Sequence, residues 1–213
     1  MTNLLRRRFS LNRFLLTAML ALIVLLMLSA LPQHASPQKP PSEIVLELDP
    51  AQSKVNWTLG ASLHTVRGTF GMKKGTVRLD PASGIISGEL VVDATTGNSG
   101  DDSRDKKMHK DVLDSGRYTE IVFHPDRAVG TVAPQGKFGV QVHGLMELHG
   151  SAHEITVPIE AEFAGNQWTC NAKFSVPFID WGLKNPSNFF LKVEHTVQIE
   201  LELKGHLQSP VAP

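Results

Sequence analysis

Residues 191–203 alternate without a break. Leu191, Val193, His195, Val197, Ile199, Leu201 and Leu203 fall on one side of an extended chain, and Lys192, Glu194, Thr196, Gln198, Glu200 and Glu202 on the other. A period of two is the mark of a strand with one apolar and one wet face. Thirteen extended residues reach roughly 40 Å, a length that suits a strongly twisted sheet. The same alternation recurs at Val55, Trp57 and Leu59, and at Phe138, Val140, Val142, Gly144, Met146 and Leu148. It returns at Ile155, Val157, Ile159, Ala161 and Phe163, and again at Trp168, Cys170, Ala172, Phe174, Val176 and Phe178. No segment of helical period is long enough to cover such a sheet. Eight or nine one-sided strands joined by short turns therefore predict an all-β chain closed into an antiparallel barrel, with a sandwich as the alternative.

The interruptions place the connections. Ile44, Val45, Leu46 and Leu48 open the first strand, and Asp49-Pro50 ends it. Residues 66–70 and 76–79 flank a glycine-bounded stretch, 71–75, that reads as a bend or hairpin. Residues 80–84 read as a turn, followed by a long strand carrying Ile86, Gly88, Leu90, Val92 and Ala94 on one face. From Asp93 to Pro125 the pattern changes. Gly97, Ser99 and Gly100 break it, and Asp101, Asp102 and Ser103 offer a helix cap with Lys106, Lys107 and Lys110 beyond. Met108 and Val112 lie four apart on one helical face, and Gly116 is a stop. This predicts a loop and short helix inserted between strands and packed across one end of the sheet. Gly88, Ala94, Gly144, Ala161 and Ala172 put small residues on the inward faces. They fit either the taper of a filled barrel or an open lumen, and periodicity does not choose.

Charge and the N-terminus bound the partners. Basic and acidic residues both number 21, but Arg6, Arg7, Arg8 and Arg13 precede every acid, the first of which is Glu43. Without those four, 17 basic residues face 21 acidic ones, and no basic run suits nucleic acid. The arginines lead into an apolar run at 14–31, the layout of an export signal or a membrane anchor. At 18 residues the run is just long enough to span a bilayer, and neither 28–30 nor 33–35 has both small residues of a cleavage site. The expected organisation is a hydrophobic helix over 1–31, a proline-rich tether over 32–42, a barrel over 43–208 and a frayed tail over 209–213. Export to the periplasm or beyond follows, with membrane attachment if the helix is retained. A homodimer stays open. The single cysteine, Cys170, excludes an internal disulfide.

The body resembles the YceI-like, polyisoprenoid-binding, lipocalin-like family from about Leu48 to Gly205. The likeness rests on Asp49-Pro50-Ala51-Gln52-Ser53-Lys54-Val55, Val66-Arg67-Gly68-Thr69-Phe70, Ser103-Arg104-Asp105 with Met108-His109-Lys110, and Tyr118-Thr119-Glu120-Ile121-Val122-Phe123. It continues through 144–150, 157–159 and Ile179-Asp180-Trp181-Gly182-Leu183. Met108 and Thr119 depart from the leucine and proline usual there, and His64 is unusual. The resemblance implies an extended lipocalin-like barrel whose lumen holds an isoprenoid lipid or quinone, with no cofactor required.

The candidate site residues divide accordingly. Trp57, Leu90, Val142, Gly144, Phe163, Phe174, His195 and Val197 are expected to line a lumen, and Arg104, Asp105, Met108 and His109 its mouth. Arg104 and Asp105 suit first of all a pair that caps and docks the helix, with closure of the mouth over a ligand headgroup as the alternative. Leucine at 144 is expected to plug a lumen without exposing apolar surface. No nucleophile motif appears, and Cys170 lies on an apolar face, so no enzyme activity is expected. The histidines, His64, His109, His124, His143 and His149 among them, lack metal-ligand spacing; His149 and His153 flank a turn where they could meet. Two other readings stay open: a histidine-dependent metal or haem protein, and a filled barrel used for protein contacts.

Overall fold

The computed structural model describes residues 43–187, 189 and 191–208. The expected signal or anchor, the tether and the tail at 209–213 lie outside them. Nine strands form one antiparallel sheet: β1 (Ile44–Leu48), β2 (Lys54–Leu59), β3 (Val66–Leu79), β4 (Ile86–Asn98), β5 (Glu120–Gly130), β6 (Gly136–Leu148), β7 (Ser151–Ala164), β8 (Gln167–Val176) and β9 (Val197–Gln208). Both β1 and β2 pair with β3 on one side and β9 on the other. They are two halves of one barrel stave, broken by a single 3-10 turn at Pro50–Gln52. Asp49 stabilises that break by accepting the backbone N–H groups of Ala51 and Gln52. With β3 also paired to β4, the sheet closes into eight positions around a barrel, and the sandwich alternative falls.

With β1 and β2 counted as one stave, each stave pairs with the next in the chain and β9 closes back on the first, so the barrel is an up-and-down meander. One end is closed by the short connections at 80–85, 131–135 and 165–166. The other end carries the longer segments at 60–65, 99–119 and 177–196, with the tight β6–β7 turn between them. The helix expected between strands lies at this second end. It is α1 (Asp102–Lys107), continued by a π turn at Met108–Val112.

Three strand assignments change. The stretch 71–75 is no hairpin: β3 runs through it, and its register against β4 shifts between Thr69 and Gly71 and between Met72 and Lys74. Gly71 closes the first of these bulges and Lys73 is the extra residue of the second, and such bulges bend a long strand around a small barrel. The strand β4 continues through polar residues to Asn98 rather than ending near Asp93. The last strand begins at Val197; of the six residues before it, only Val193 makes a bridge, to Ala61.

Candidate functional site

The barrel is hollow. A cavity of about 630 Å³ runs along its interior. Leu46, Val77, Leu79, Ile86, Val140 and Phe163 form its closed end, where Phe138 and Phe163 meet edge to face with centroids 5.0 Å apart. Towards the other end the wall passes through Val142, Val157, Ala161, Cys170, Ala172 and Phe174 to Trp57, Phe70 and Val197. Burial pushes the Cys170 thiol up to about 12, because a thiolate there would lose its hydration.

The polar groups are gathered at one place. His64, Asp101, Ser103, Arg104 and Lys107 all line the cavity where α1 crosses the open end. Asp101 caps that helix by accepting the backbone N–H of Arg104 at 2.9 Å, and this bond holds its carboxyl below the usual carboxylate range. Arg104 donates from Nε to the Ser99 hydroxyl at 2.7 Å and from its terminal nitrogen to the Ser99 carbonyl at 3.1 Å. Asp105 accepts the Ser99 N–H at 2.9 Å and the Ser99 hydroxyl as well. The two neighbours therefore share Ser99, clamping the loop after β4 to the helix. This is the capping and docking role, with Arg104 also facing the cavity.

The π turn is held by His109. Its Nε2 lies 2.9 Å from the Gly97 carbonyl and its Nδ1 2.8 Å from the Ser115 hydroxyl. A carbonyl only accepts, so Nε2 carries the proton, and in the neutral ring Nδ1 accepts from Ser115. Met108 and Val112, as expected from their spacing, turn into the cavity.

Of the residues predicted for the lumen, Trp57, Leu90, Val142, Phe163, Phe174 and Val197 line the cavity, and so do Arg104 and Met108 at the mouth. Asp105 and His109 brace the helix from behind. His195 does not line the cavity: it is exposed, because the alternation at 191–196 belongs to a loop rather than to β9. Gly144 contributes no wall either. A Cβ there would lie 2.3 Å from the His124 carbonyl oxygen and 2.8 Å from Pro125 Cα, so leucine would pry β5 from β6 instead of plugging the lumen. Ala161 and Ala172 are the small residues that border the space; Ala94 is buried elsewhere, and Gly88 is exposed with a φ of 112°.

His64, Asp101, Ser103 and Lys107 escaped the sequence reading as lining residues. They come from segments almost forty residues apart, and only barrel closure brings them together. The turn histidines do not meet: His149 packs on Tyr118 with centroids 4.6 Å apart, and His153 stacks on Trp181 at 4.3 Å. Among the described residues no three His, Cys, Asp or Glu side chains are grouped as a metal would need.

Known proteins resemble this chain in fold or in sequence. The crystal structure of Burkholderia cenocepacia BcnA superposes with a TM-score of 0.60 at 21% identity, over 74% of this chain and 98% of that one. A polyisoprenoid binding domain from Saccharophagus degradans, described as implicated in plant cell wall breakdown, gives 0.58 at 16% identity, over 76% and 98%. A UPF0312 protein of Vibrio campbellii is 33% identical over 129 residues, 58% of this chain and 64% of that protein, so the chain spans just under two thirds of that curated relative. Residues 46–205 match the YceI-like domain, and the chain belongs to the YceI-like family.

Proposed function

We propose that this protein is an exported carrier or sequestering protein for an amphiphilic isoprenoid, of the quinone or polyprenyl type. The observation that carries the reading is the one-ended polarity of the cavity: hydrocarbon along its length, with His64, Asp101, Ser103, Arg104 and Lys107 at the mouth. A water-soluble ligand would leave its polar groups unpaired on that wall, whereas a tail with a polar head matches it. Each CH₂ taken from water contributes about 0.8 kcal/mol. At the roughly 30 Å³ that a water-sized group occupies in a liquid, the cavity has room for roughly 20 carbon-sized atoms, or about four isoprene units. A longer tail would have to extend past the mouth.

The relative described as a polyisoprenoid binding domain supports the same ligand class. Binding rather than catalysis is the reading because the wall is almost wholly apolar, and Asp101 and Arg104 at the mouth are engaged in capping the helix and docking it on Ser99. The N-terminal arginines and apolar run support export, with attachment to the membrane where the run is retained. Organic extraction of the purified full chain, followed by mass spectrometry, tests the proposal. A near-stoichiometric prenylated lipid is expected. An extract with no lipid above that of an unrelated exported protein would overturn it.

A further inference from the structure

Trp57 and Trp168 both line the cavity and are both 6% exposed, yet their indole N–H groups differ. Trp168 donates to the Glu47 carbonyl at 3.2 Å. Trp57 Nε1 is buried and has no acceptor. Nearly every buried donor in a folded protein is paired, so this exception calls for a reason. The other such atom among the described residues, His153 Nε2, belongs to a ring that stacks on Trp181 and does not line the cavity. The strand pairing locates the orphan. Val55, Trp57 and Leu59 lie opposite Phe70, Gly68 and Val66, and all of these except the glycine line the cavity. Position 68 therefore faces inward, by the alternation of the strand. A Cβ there would lie 2.5 Å from Trp57 Cε2, the ring atom bonded to Nε1, so the N–H edge of the indole runs along the inner wall. The same Cβ would lie 2.4 Å from the carbonyl oxygen of Asn98, the residue before the Ser99 that holds Arg104. The unpaired donor thus sits just inside the polar mouth.

We infer that Trp57 Nε1 is the donor for a neutral carbonyl oxygen on the head of the ligand, which makes that head a quinone and seats it below the mouth rather than in it. A buried donor with no partner gains more from an acceptor than a donor already paired with water. An uncharged oxygen can enter an apolar wall when a hydrogen bond replaces its hydration, whereas a phosphate would give up its hydration for a single neutral donor. Because the N–H is closed off as it stands, a neighbour must yield to let the oxygen reach it. Phe70, with its ring centroid 6.5 Å from that of Trp57, and the unbranched Met108 are the side chains suited to do so. They meet at one spot, where a Cβ on Gly97 would lie 2.6 Å from Phe70 Cε1 and 2.8 Å from Met108 Cε. The inference rests on the carrier reading and narrows its ligand class.

The test uses the lipid-stripped full chain, isotope-labelled at the nitrogens of its three indoles, Trp57, Trp168 and Trp181. Their N–H signals are assigned by Trp57→Phe, Trp168→Phe and Trp181→Phe, any two of which suffice if the third does not fold. Three ligands share a four-isoprene tail: one carries a quinone, one an oxygen-free aromatic ring and one a phosphate. The quinone is expected to move the Trp57 N–H signal downfield while that of Trp168 stays, and neither of the other two should move it downfield. Binding is read by quinone quenching of Trp168 and, for the other two, by relief of that quenching. Trp57→Phe should weaken the quinone about tenfold more than it weakens the oxygen-free analogue. Saturable quenching of Trp168 with the Trp57 signal unmoved would overturn the inference and leave the carrier reading standing. Equal losses for quinone and analogue in Trp57→Phe would do the same, as would an equal downfield shift with the phosphate. A chain that binds none of the three would take the carrier reading down together with the inference.

Discussion

Trp57 and Gly68 face each other across β2 and β3, and the indole occupies the space that a side chain at 68 would need. A Cβ on Gly68 would lie 2.3 Å from Trp57 Cζ2 and 2.4 Å from the Asn98 carbonyl oxygen. The glycine is thus what lets a large ring lie flat against the barrel wall, below the polar mouth. Replacing Gly68 with alanine should push the indole off the wall and destabilise the fold by about 1–3 kcal/mol. Denaturant unfolding and the tryptophan emission spectrum together check this; an unchanged midpoint with unchanged emission would refute it.

Gly144 and Ala172 look alike in the alternating pattern, yet their substitutions should behave in opposite ways. Gly144 abuts the backbone of β5, so Gly144→Leu should cost folding itself. Ala172 borders the cavity, so Ala172→Phe places its ring in existing space and should leave the thermal midpoint within a few degrees. Circular dichroism melts of the two variants give the comparison.

His109→Ala should loosen the mouth. It strips a partner from the Gly97 carbonyl and from Ser115, which is 5% exposed, and a buried polar group left unpaired costs about 1–3 kcal/mol. Hydrogen exchange should accelerate through 99–119 while the β6–β7 hairpin stays protected. Uniform acceleration across the barrel would show that His109 is not a local anchor.

The buried thiol gives a pH signature. Cys170 is held protonated up to about 12 in the folded chain, against an ordinary value of 9.0. Above the ordinary value the unfolded chain releases a proton that the folded chain keeps, so this group lowers stability as pH rises, by roughly 1.4 kcal/mol per pH unit. Below pH 9 it contributes nothing. Cys170→Ala should therefore lose stability less steeply than the native chain between pH 9 and 10.5 (roughly the useful span of a urea titration), and identical slopes would contradict the burial.

How far the pattern carried is clear from particular strands. In β8 each inward residue alternates with a polar one, and in β6 and β7 most do, Gly139, Leu145 and Pro158 excepted; the structure repeats that order. Asp49-Pro50 likewise marked the end of β1, and the acids from Asp101 marked the start of the helix. What stayed hidden was set by bending. The stretch 71–75 reads as a turn because a bulged strand and a hairpin can share a glycine, as at Gly71. Thr95 and Thr96 extend β4 without any apolar alternation, held by side-chain bonds instead: Thr95 donates to the Asp93 carboxylate, and the Thr96 hydroxyl accepts the Gly71 N–H. His195 kept the rhythm of β9 but lies in a loop, because a period of two reports an extended chain and not its pairing partner. The hollow interior was implied by the family resemblance and not by the pattern: filled and open barrels share the same alternating residues, and only their placement leaves the space.

The most direct test of the account is an equilibrium titration of lipid-stripped full chain with a quinone bearing a four-isoprene tail, followed by quenching of the buried indoles Trp57 and Trp168. Saturable binding near one equivalent is predicted for the native chain, with at least tenfold weaker binding by Ala172→Phe. Equal affinity in the two proteins would mean that the tail does not occupy the barrel.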